Sequence, residues 1–233
     1  MILRQWDNLP QQFKNDHVAE YYEHLRRHKA GLVLKRAFDI VVSSLLILIL
    51  LPVFLIIAII IKLDSPGPVF YRQTRVTQYG KEFRIFKFRT MVQNADRLGS
   101  QVTVNNDSRV TRIGSFLRKY RLDELSQLFD VFRGTMTFVG VRPEVPKYVE
   151  HYSDEMMATL LLPAGVTSIT SIYYKDESKL LESAEDADRT YIEAVLPEKM
   201  KYNLQSIKEF SFWNDIRIMF MTVAAVLGKD DND

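Results

Sequence analysis

The 233-residue chain contains no cysteine, which excludes disulfides and every thiolate-ligated metal site. Histidine is scarce, with four residues, and no His-Glu-x-x-His pattern gives any pair of them a specific metal-binding spacing. His24 and His28 stand at i, i+4 and share a face if that stretch is helical, which without the pattern reads as a solvated helix face rather than a metal pair. A catalytic metal is then expected to be a hard cation on oxygen ligands, such as Mg²⁺. No internal repeat or low-complexity tract occurs, and the net charge is only +2.

That small net charge hides a local excess. Arg72, Arg75, Lys81, Arg84, Lys87, Arg89, Arg97, Arg109, Arg112, Arg118, Lys119, Arg121, Arg133 and Arg142 fall within one stretch, where acids are sparse. Its positive field attracts phosphates, nucleotides or acidic lipid headgroups. An acidic stretch from Asp176 to Glu198 restores the balance. The length allows one domain of about 150–200 residues plus a membrane element and an extension.

Ile40 to Ile61 is apolar except for Ser43, Ser44 and Pro52. As a helix it would be about 33 Å long, enough to cross a hydrocarbon core. It lies too far from the N-terminus, behind too polar a stretch, for a cleavable signal peptide. A spanning helix, a buried core helix and a helix that enters the bilayer and returns all fit that length. Both flanks are basic: Arg26, Arg27, Lys29, Lys35 and Arg36 before it, Lys62, Arg72, Arg75 and Lys81 after it. Positive residues mark the cytoplasmic side, so a span would export one basic flank whereas a re-entrant hairpin keeps both inside. Pro52, near the middle, predicts a kink, with the freed carbonyl satisfied by Ser44 or another polar group.

Before this segment, Val18, Tyr21, Tyr22 and Leu25 have helical i, i+3, i+4, i+7 spacing. They predict an amphipathic helix that lies on the membrane or packs, for instance on a partner protomer in a homodimer. After it, Asp64-Ser-Pro-Gly-Pro68 is a turn. Val69–Tyr71 and Phe83–Arg89 read as short strands joined through Gly80, with Phe86 and Phe88 on one face and Lys87 and Arg89 on the other. Asp107 to Phe116 leads through Gly114 into a helix. Leu122, Leu125, Leu128 or Phe129, and Phe132 mark the stripe of a helix that ends at Gly134. Thr137 to Pro143 is a strand breaking into a turn, and Phe210 to Leu227 carries a broad apolar stripe that rests at the bilayer interface or in the core. The expected fold class is α+β: a mainly helical, membrane-associated domain with short β-strands, a re-entrant helix–break–helix and interfacial amphipathic helices. The expected organisation is an N-terminal extension at 1–33, a membrane hairpin at 34–63, a cytoplasmic domain at 64–228 and an acidic tail at 229–233.

The chemistry centres on Asp123-Glu124, adjacent carboxylates that open a helix and stand about 100° apart around its axis, with Gln127 one turn on. Acids at that position also serve simply as helix-dipole caps. Around them, Arg118, Lys119, Arg121 and Arg142 suit phosphate oxygens. One carboxylate could attack phosphorus while the other holds Mg²⁺ or relays a proton; spacing does not divide these roles.

The order Lys35-Arg-Ala-Phe-Asp39, the Pro-broken hydrophobic helix, Gly67-Pro-Val-Phe70, Phe86-Lys-Phe-Arg-Thr-Met91, Asp107-Ser-Arg109, Gly114 to Arg118, Leu122-Asp-Glu-Leu125, Gln127-Leu128 and Gly140-Val-Arg-Pro143 resembles the bacterial sugar transferases. These are the monotopic phosphoglycosyl transferases. The resemblance runs collinearly from about Leu34 to Leu227. It implies transfer of a sugar-1-phosphate from a UDP-sugar to undecaprenyl phosphate, with release of UMP, at the cytoplasmic face of the bacterial inner membrane, where surface-glycan assembly begins. It implies a covalent phosphosugar on Asp123 with Glu124 as its helper, in an exchange that uses Mg²⁺, and phosphate or nucleotide contacts from Lys87, Arg118 and Arg142. Arg89, on the basic strand face with Lys87, and Gln127, one turn after the dyad, are further expected substrate contacts, and Asp123 and Glu124 are the expected Mg²⁺ ligands. The expected partners are UDP-sugar, undecaprenyl phosphate and membrane phospholipid; nucleic acid is not expected, because a carboxylate pair repels phosphodiesters.

Several positions depart from the family pattern. Leu51 stands where serine often precedes the helix-breaking proline, Ser126 and Asp130 replace proline and asparagine, and Thr135 replaces an acid. None is in the dyad. Two other readings fit the same residues: a catalytically idle membrane adaptor that binds acidic lipids, and a spanning anchor carrying a hydrolase-like domain.

Overall fold

A computed structural model describes residues 3–95, 107–173 and 186–227. Arg97 and the acidic tail lie outside the described residues, as does the first part of the acidic stretch, 176–185. Asn15 caps the first helix, α1 (Asp16–Arg27), by accepting from the Val18 N–H at 2.9 Å. The predicted stripe of Val18, Tyr21, Tyr22 and Leu25 is buried. It packs with Leu3, Leu9, Phe13, Val76, Tyr79, Leu161, Ile207 and Phe210 in one core cluster. Residues 3–32 therefore belong to the folded body, not to a separate extension ending at 33. The apolar face that suggested a partner protomer is covered within the chain. The His24 and His28 rings lie 4.5 Å apart, and His28 meets Phe210 edge-on, so this pair is packed rather than fully solvated.

Helix α2 (Lys29–Asp64) runs without interruption through Pro52, whereas a broken helix was expected. Proline removes a single N–H, and the helical turns on either side continue. Ser44 does not serve the proline break; its hydroxyl donates back to Ile40 O at 2.7 Å. Most of the apolar surface is exposed, including Val41, Leu48, Ile49, Leu55, Ile56, Ile59 and Leu63. Yet both halves of α2 return to the same body. Arg36 donates to Val131 O and Phe132 O at the end of α4 (Leu128–Arg133), while the Phe54 ring lies 5.7 Å from that of Phe129 at its start. Arg36 and Phe54 would be about 27 Å apart on a straight helix, whereas α4 is about 9 Å long.

Two strands follow. Phe70–Thr77 (β1) and Lys81–Phe88 (β2) pair antiparallel with Phe70 opposite Phe88 and Tyr71 opposite Lys87. Both are longer than predicted, because Arg72 to Arg75 carry no apolar alternation and are recruited by pairing with β2. The turn uses left-handed backbone at Tyr79 (φ 60°) and Gly80 (φ 72°). The Phe70, Phe86 and Phe88 rings cluster with Phe54 and Phe129, fastening the hairpin to α2 and α4.

Thr111 caps α3 (Arg112–Lys119), and Gly114 lies so close to Thr90 that an added Cβ would meet its carbonyl oxygen. Arg121 then turns left-handed (φ 53°) and opens a 3₁₀ helix, Leu122–Gln127, which leads into α4. The single α-helix predicted here is thus two pieces. Gly134 ends α4 as expected (φ 85°). Asp130 is buried and accepts from the Phe86 N–H at 2.8 Å, tying α4 to β2, and Thr135 donates to Asp130 O at 3.1 Å. Two of the departures from the family pattern thus interlock.

Strands β3 (Met136–Val139) and β4 (Ala164–Thr167) pair in parallel, with α5 (Pro146–Val149) between them. Among the described residues, the remaining α-helices are α6 (Ile169–Tyr173), α7 (Ala187–Thr190), α8 (Leu196–Lys208) after a π-helical turn at Tyr191–Val195, and α9 (Phe212–Leu227). On α9, Ile218 and Asp215 are buried and Trp213, Phe220 and Val223 are exposed. Asp215 accepts from Lys35, whose ammonium also reaches Val139 O, and Asp39 accepts from the Thr137 hydroxyl and the Phe138 N–H. Buried polar groups of this kind need partners, and these three pin the start of α2 to β3 and α9.

Candidate active site

The 3₁₀ helix sets Asp123 and Glu124 against the end of β2. Strand alternation points Lys87 toward them and turns Phe86 and Phe88 to the other face, where they meet Phe129 of α4 and Phe54 of α2. Lys87 Nζ donates to Glu124 Oε1 at 2.9 Å, and Arg142 donates to the same oxygen at 2.7 Å. Arg121 approaches the other oxygen at 3.9 Å, but its side chain is 61% exposed, so that pair contributes little. Burial alone would push the Glu124 carboxyl up; Arg142 and Lys87 outweigh it and hold the group well below the ordinary carboxylate range.

Asp123 is in a different state. It is buried, and among the described residues no ion pair or side-chain hydrogen bond from a neighbour engages its carboxylate. Burial raises its pKa, the neighbouring Glu124 charge pushes it the same way, and Lys87 and Arg118 oppose them. One carboxylate is locked by cations and its neighbour is held near them unengaged.

Arg142 is delivered by a turn fixed on both sides. Gly140 N–H donates to Thr167 O and Gly165 N–H to Val141 O, at 3.0 and 2.8 Å. Arg75 donates to Pro143 O, and the Val76 N–H to Glu144 O. Glu144 is itself buried, accepting from the Tyr191 hydroxyl at 2.6 Å and Lys199 at 3.2 Å. Arg118 donates to the Thr90 hydroxyl at 2.9 Å, and Asp107 holds Arg109 through both carboxylate oxygens.

The structure thus gathers Lys87, Arg118, Asp123, Glu124 and Arg142. Two predicted contacts fall elsewhere. Arg89 is buried and donates to Ile61 O, Ser65 O and Pro66 O, so it caps the end of α2, where a cation complements the helix dipole. Gln127 is 2% exposed, short of any surface a substrate could reach. Thr90, Arg75 and Glu144 position site residues and were missed. Thr90 lies inside a quoted motif and Glu144 adjoins one, whereas nothing in sequence links Glu144 to Tyr191 and Lys199, 47 and 55 residues away. Among the described residues no group of three or more His, Asp or Glu is arranged to hold a metal.

Fold and site define an α+β body fastened to one long, largely exposed apolar helix, with a carboxylate pair under a cationic clamp. The chain belongs to the bacterial sugar transferase family, whose sequence profile matches residues 30–229. It is 35% identical over 216 residues to the UDP-N-acetylgalactosamine-undecaprenyl-phosphate N-acetylgalactosaminephosphotransferase of Aeromonas hydrophila, covering 88% of this chain and 48% of the relative. It is 39% identical over 196 residues to the UDP-glucose:undecaprenyl-phosphate glucose-1-phosphate transferase of Escherichia coli K12, covering 82% and 39%. The undecaprenyl-phosphate galactose phosphotransferase of Salmonella typhimurium LT2 is 33% identical over 213 residues, covering 84% and 41%. The chain spans less than half the length of each of these relatives, and their named sugars differ.

Proposed function

We propose that this chain transfers a sugar-1-phosphate from a UDP-sugar to undecaprenyl phosphate, releasing UMP, by a two-step exchange through Asp123. The observation that carries this reading is the unequal state of the dyad. Glu124 is committed to Lys87 and Arg142, so it serves to fix two cations over the site. Asp123, unengaged, is the nucleophile. An Asp123 oxygen attacks the phosphorus that bears the sugar; the bond from that phosphorus to the bridging oxygen breaks, and UMP leaves with the electron pair. A phosphate oxygen of undecaprenyl phosphate then attacks the same phosphorus and displaces the Asp123 carboxylate, giving the diphosphate-linked lipid sugar. Lys87, Arg118 and Arg142 neutralise charge on the phosphoryl oxygens.

Mg²⁺ fits this donor set in one respect. It takes one or two carboxylates and completes its shell with substrate phosphates and water, and the unengaged Asp123 supplies one such oxygen. Glu124, whose Oε1 already receives two cations, does not fit as the second ligand in this arrangement. When bound, the ion would neutralise charge on the diphosphate oxygens of the UDP-sugar and on the phosphate of the departing UMP.

Membrane placement follows from α2. Its exposed apolar surface, its basic flanks and its two halves converging on α4 favour a helix that enters the cytoplasmic leaflet of the inner membrane and returns. Trp213, Phe220 and Val223 give α9 an apolar face suited to the interface. The test is UMP release from a panel of UDP-sugars, with undecaprenyl phosphate and Mg²⁺, by membranes containing the chain. Release by the native chain and none by Asp123→Asn is expected. Full turnover by Asp123→Asn would overturn the assignment.

A further inference from the structure

The β1–β2 hairpin is cationic on both faces, and only one face meets the dyad. On the other, Arg72 lies over the Phe86 ring with its guanidinium carbon 3.4 Å from the centroid. Arg133 approaches the same ring at 5.0 Å. Arg84 and Arg72 donate to each other's backbone carbonyls. Arg36 donates to the carbonyls of Val131 and Phe132. Among the described residues, none of these four arginines is in an ion pair with a carboxylate. Asp130, which is buried and accepts from the Phe86 N–H, is an acid whose charge acts on Arg72 and Arg133.

Arg72 and Arg133 at one ring, with Arg84 bonded beside Arg72 and one buried acid acting on them, leave an excess of positive charge, and an anion relieves it. Depth identifies the anion. Arg36 stands one helical turn before Ile40, where the apolar run of α2 begins, and it is fastened to the end of α4, which carries Arg133. Phe132, beside Arg133, is 47% exposed. An apolar side chain among arginines at the entry of a membrane helix matches a phospholipid, with acyl chains on one side and a phosphate on the other.

We propose that Arg72, Arg84 and Arg133, with Phe86 and Phe132, form a binding site for the headgroup of an anionic phospholipid, separate from the dyad. The site rests on the membrane placement of α2 described above and not on the chemistry at Asp123.

The test uses the full chain in neutral detergent, titrated with dioctanoyl phosphatidylglycerol, dioctanoyl phosphatidylcholine and inorganic phosphate. Phosphatidylglycerol is expected to bind more tightly than phosphatidylcholine. The Arg72→Gln/Arg133→Gln variant should weaken phosphatidylglycerol binding by about fivefold for each arginine removed. Arg72→Lys/Arg133→Lys, which keeps the charge, should retain most of the binding and shows whether lost binding reflects lost folding. Wild-type binding by the glutamine variant, or no preference for phosphatidylglycerol, would overturn the proposal. So would displacement of phosphatidylglycerol by equimolar inorganic phosphate, since the site would then take any anion. UMP release measured on the same variants should match wild type, and its absence from the native chain would count against the transferase reading alone.

Discussion

Arg142 donates to Glu124 Oε1 at 2.7 Å although 18 residues of chain separate them. The bond joins the dyad helix to the turn after β3, and Lys87 closes it from β2 by reaching the same oxygen. Three elements distant in sequence thus share one carboxylate oxygen, and Asp123 is presented beside it without a comparable partner. The two acids should answer mutation in opposite ways.

Glu124→Ala would remove the carboxylate that Lys87 and Arg142 share in a partly buried site. A loss of about 3–5 kcal/mol is expected, as for a buried pair broken on one side. Asp123→Asn should cost no stability, because burial disfavours its charged form. Turnover should nonetheless fall by at least about a thousandfold in the asparagine variant, the scale seen for an enzyme nucleophile. Urea melts and UMP release on both variants check the pair of outcomes. Equal destabilisation by the two would contradict the unequal roles.

Acidity separates the same two groups. Asp123 must be ionised to attack, and its pKa lies above the ordinary 3.8, so kcat/KM should decline with falling pH along a limb placed above 3.8. Glu124 contributes in the opposite sense. Its folded-state pKa is depressed, so the stability it provides is complete above its ordinary 4.5 and is lost only as pH falls through the lower folded value. Activity should therefore fail on acidification before this part of the fold does. A pH–rate profile beside a pH-dependent melting series measures both; an activity limb at or below 3.8 would contradict the raised Asp123.

Much of this site was legible in the sequence. Lys87, Arg118, Asp123, Glu124 and Arg142 each lie within short motifs whose residue types declare phosphate chemistry. Strand alternation correctly turned Lys87 away from Phe86 and Phe88. Arg89 misled because alternation was carried one residue past the strand, which ends at Phe88, and beyond that point the exposed carbonyls of α2 capture the guanidinium. The role of α1 was half legible: its apolar stripe showed that something covers it, but periodicity names a face and not its partner. The Glu144–Tyr191–Lys199 cluster was not legible at all, since each residue is polar, isolated in sequence and buried only by tertiary packing.

Gly165 tests whether the Arg142 turn depends on close backbone approach. A Cβ there would lie 2.2 Å from both the nitrogen and the oxygen of Gly140, and backbone cannot move aside as a flexible side chain can. Gly165→Ala should cost about 1–3 kcal/mol through overpacking. It should also shift the turn, and misplacing a catalytic group by about 1 Å costs on the order of a hundredfold in rate. UMP release normalised to folded protein should therefore drop by more than the melting curve explains. Wild-type turnover at an unchanged melting temperature would show that the contact is dispensable.

Both ends of α2 are attached to the same body. Lys35, Arg36 and Asp39 bind the body at one end, and Ile61 and Asp64 bind it at the other, through Arg89 and the Ile113 N–H. A helix that crossed the bilayer would carry one set to the far side and strip those buried groups of partners, at a cost of several kcal/mol for each buried charge left unpaired. The chain has no cysteine, so single cysteines report without background. Ala30→Cys and Lys81→Cys, both at exposed positions, should react with a membrane-impermeant maleimide from the cytoplasmic side in inverted vesicles and stay protected in intact cells. Labelling of the two from opposite sides would establish a span, and the attachments at one end of α2 would then have to be made differently in the membrane.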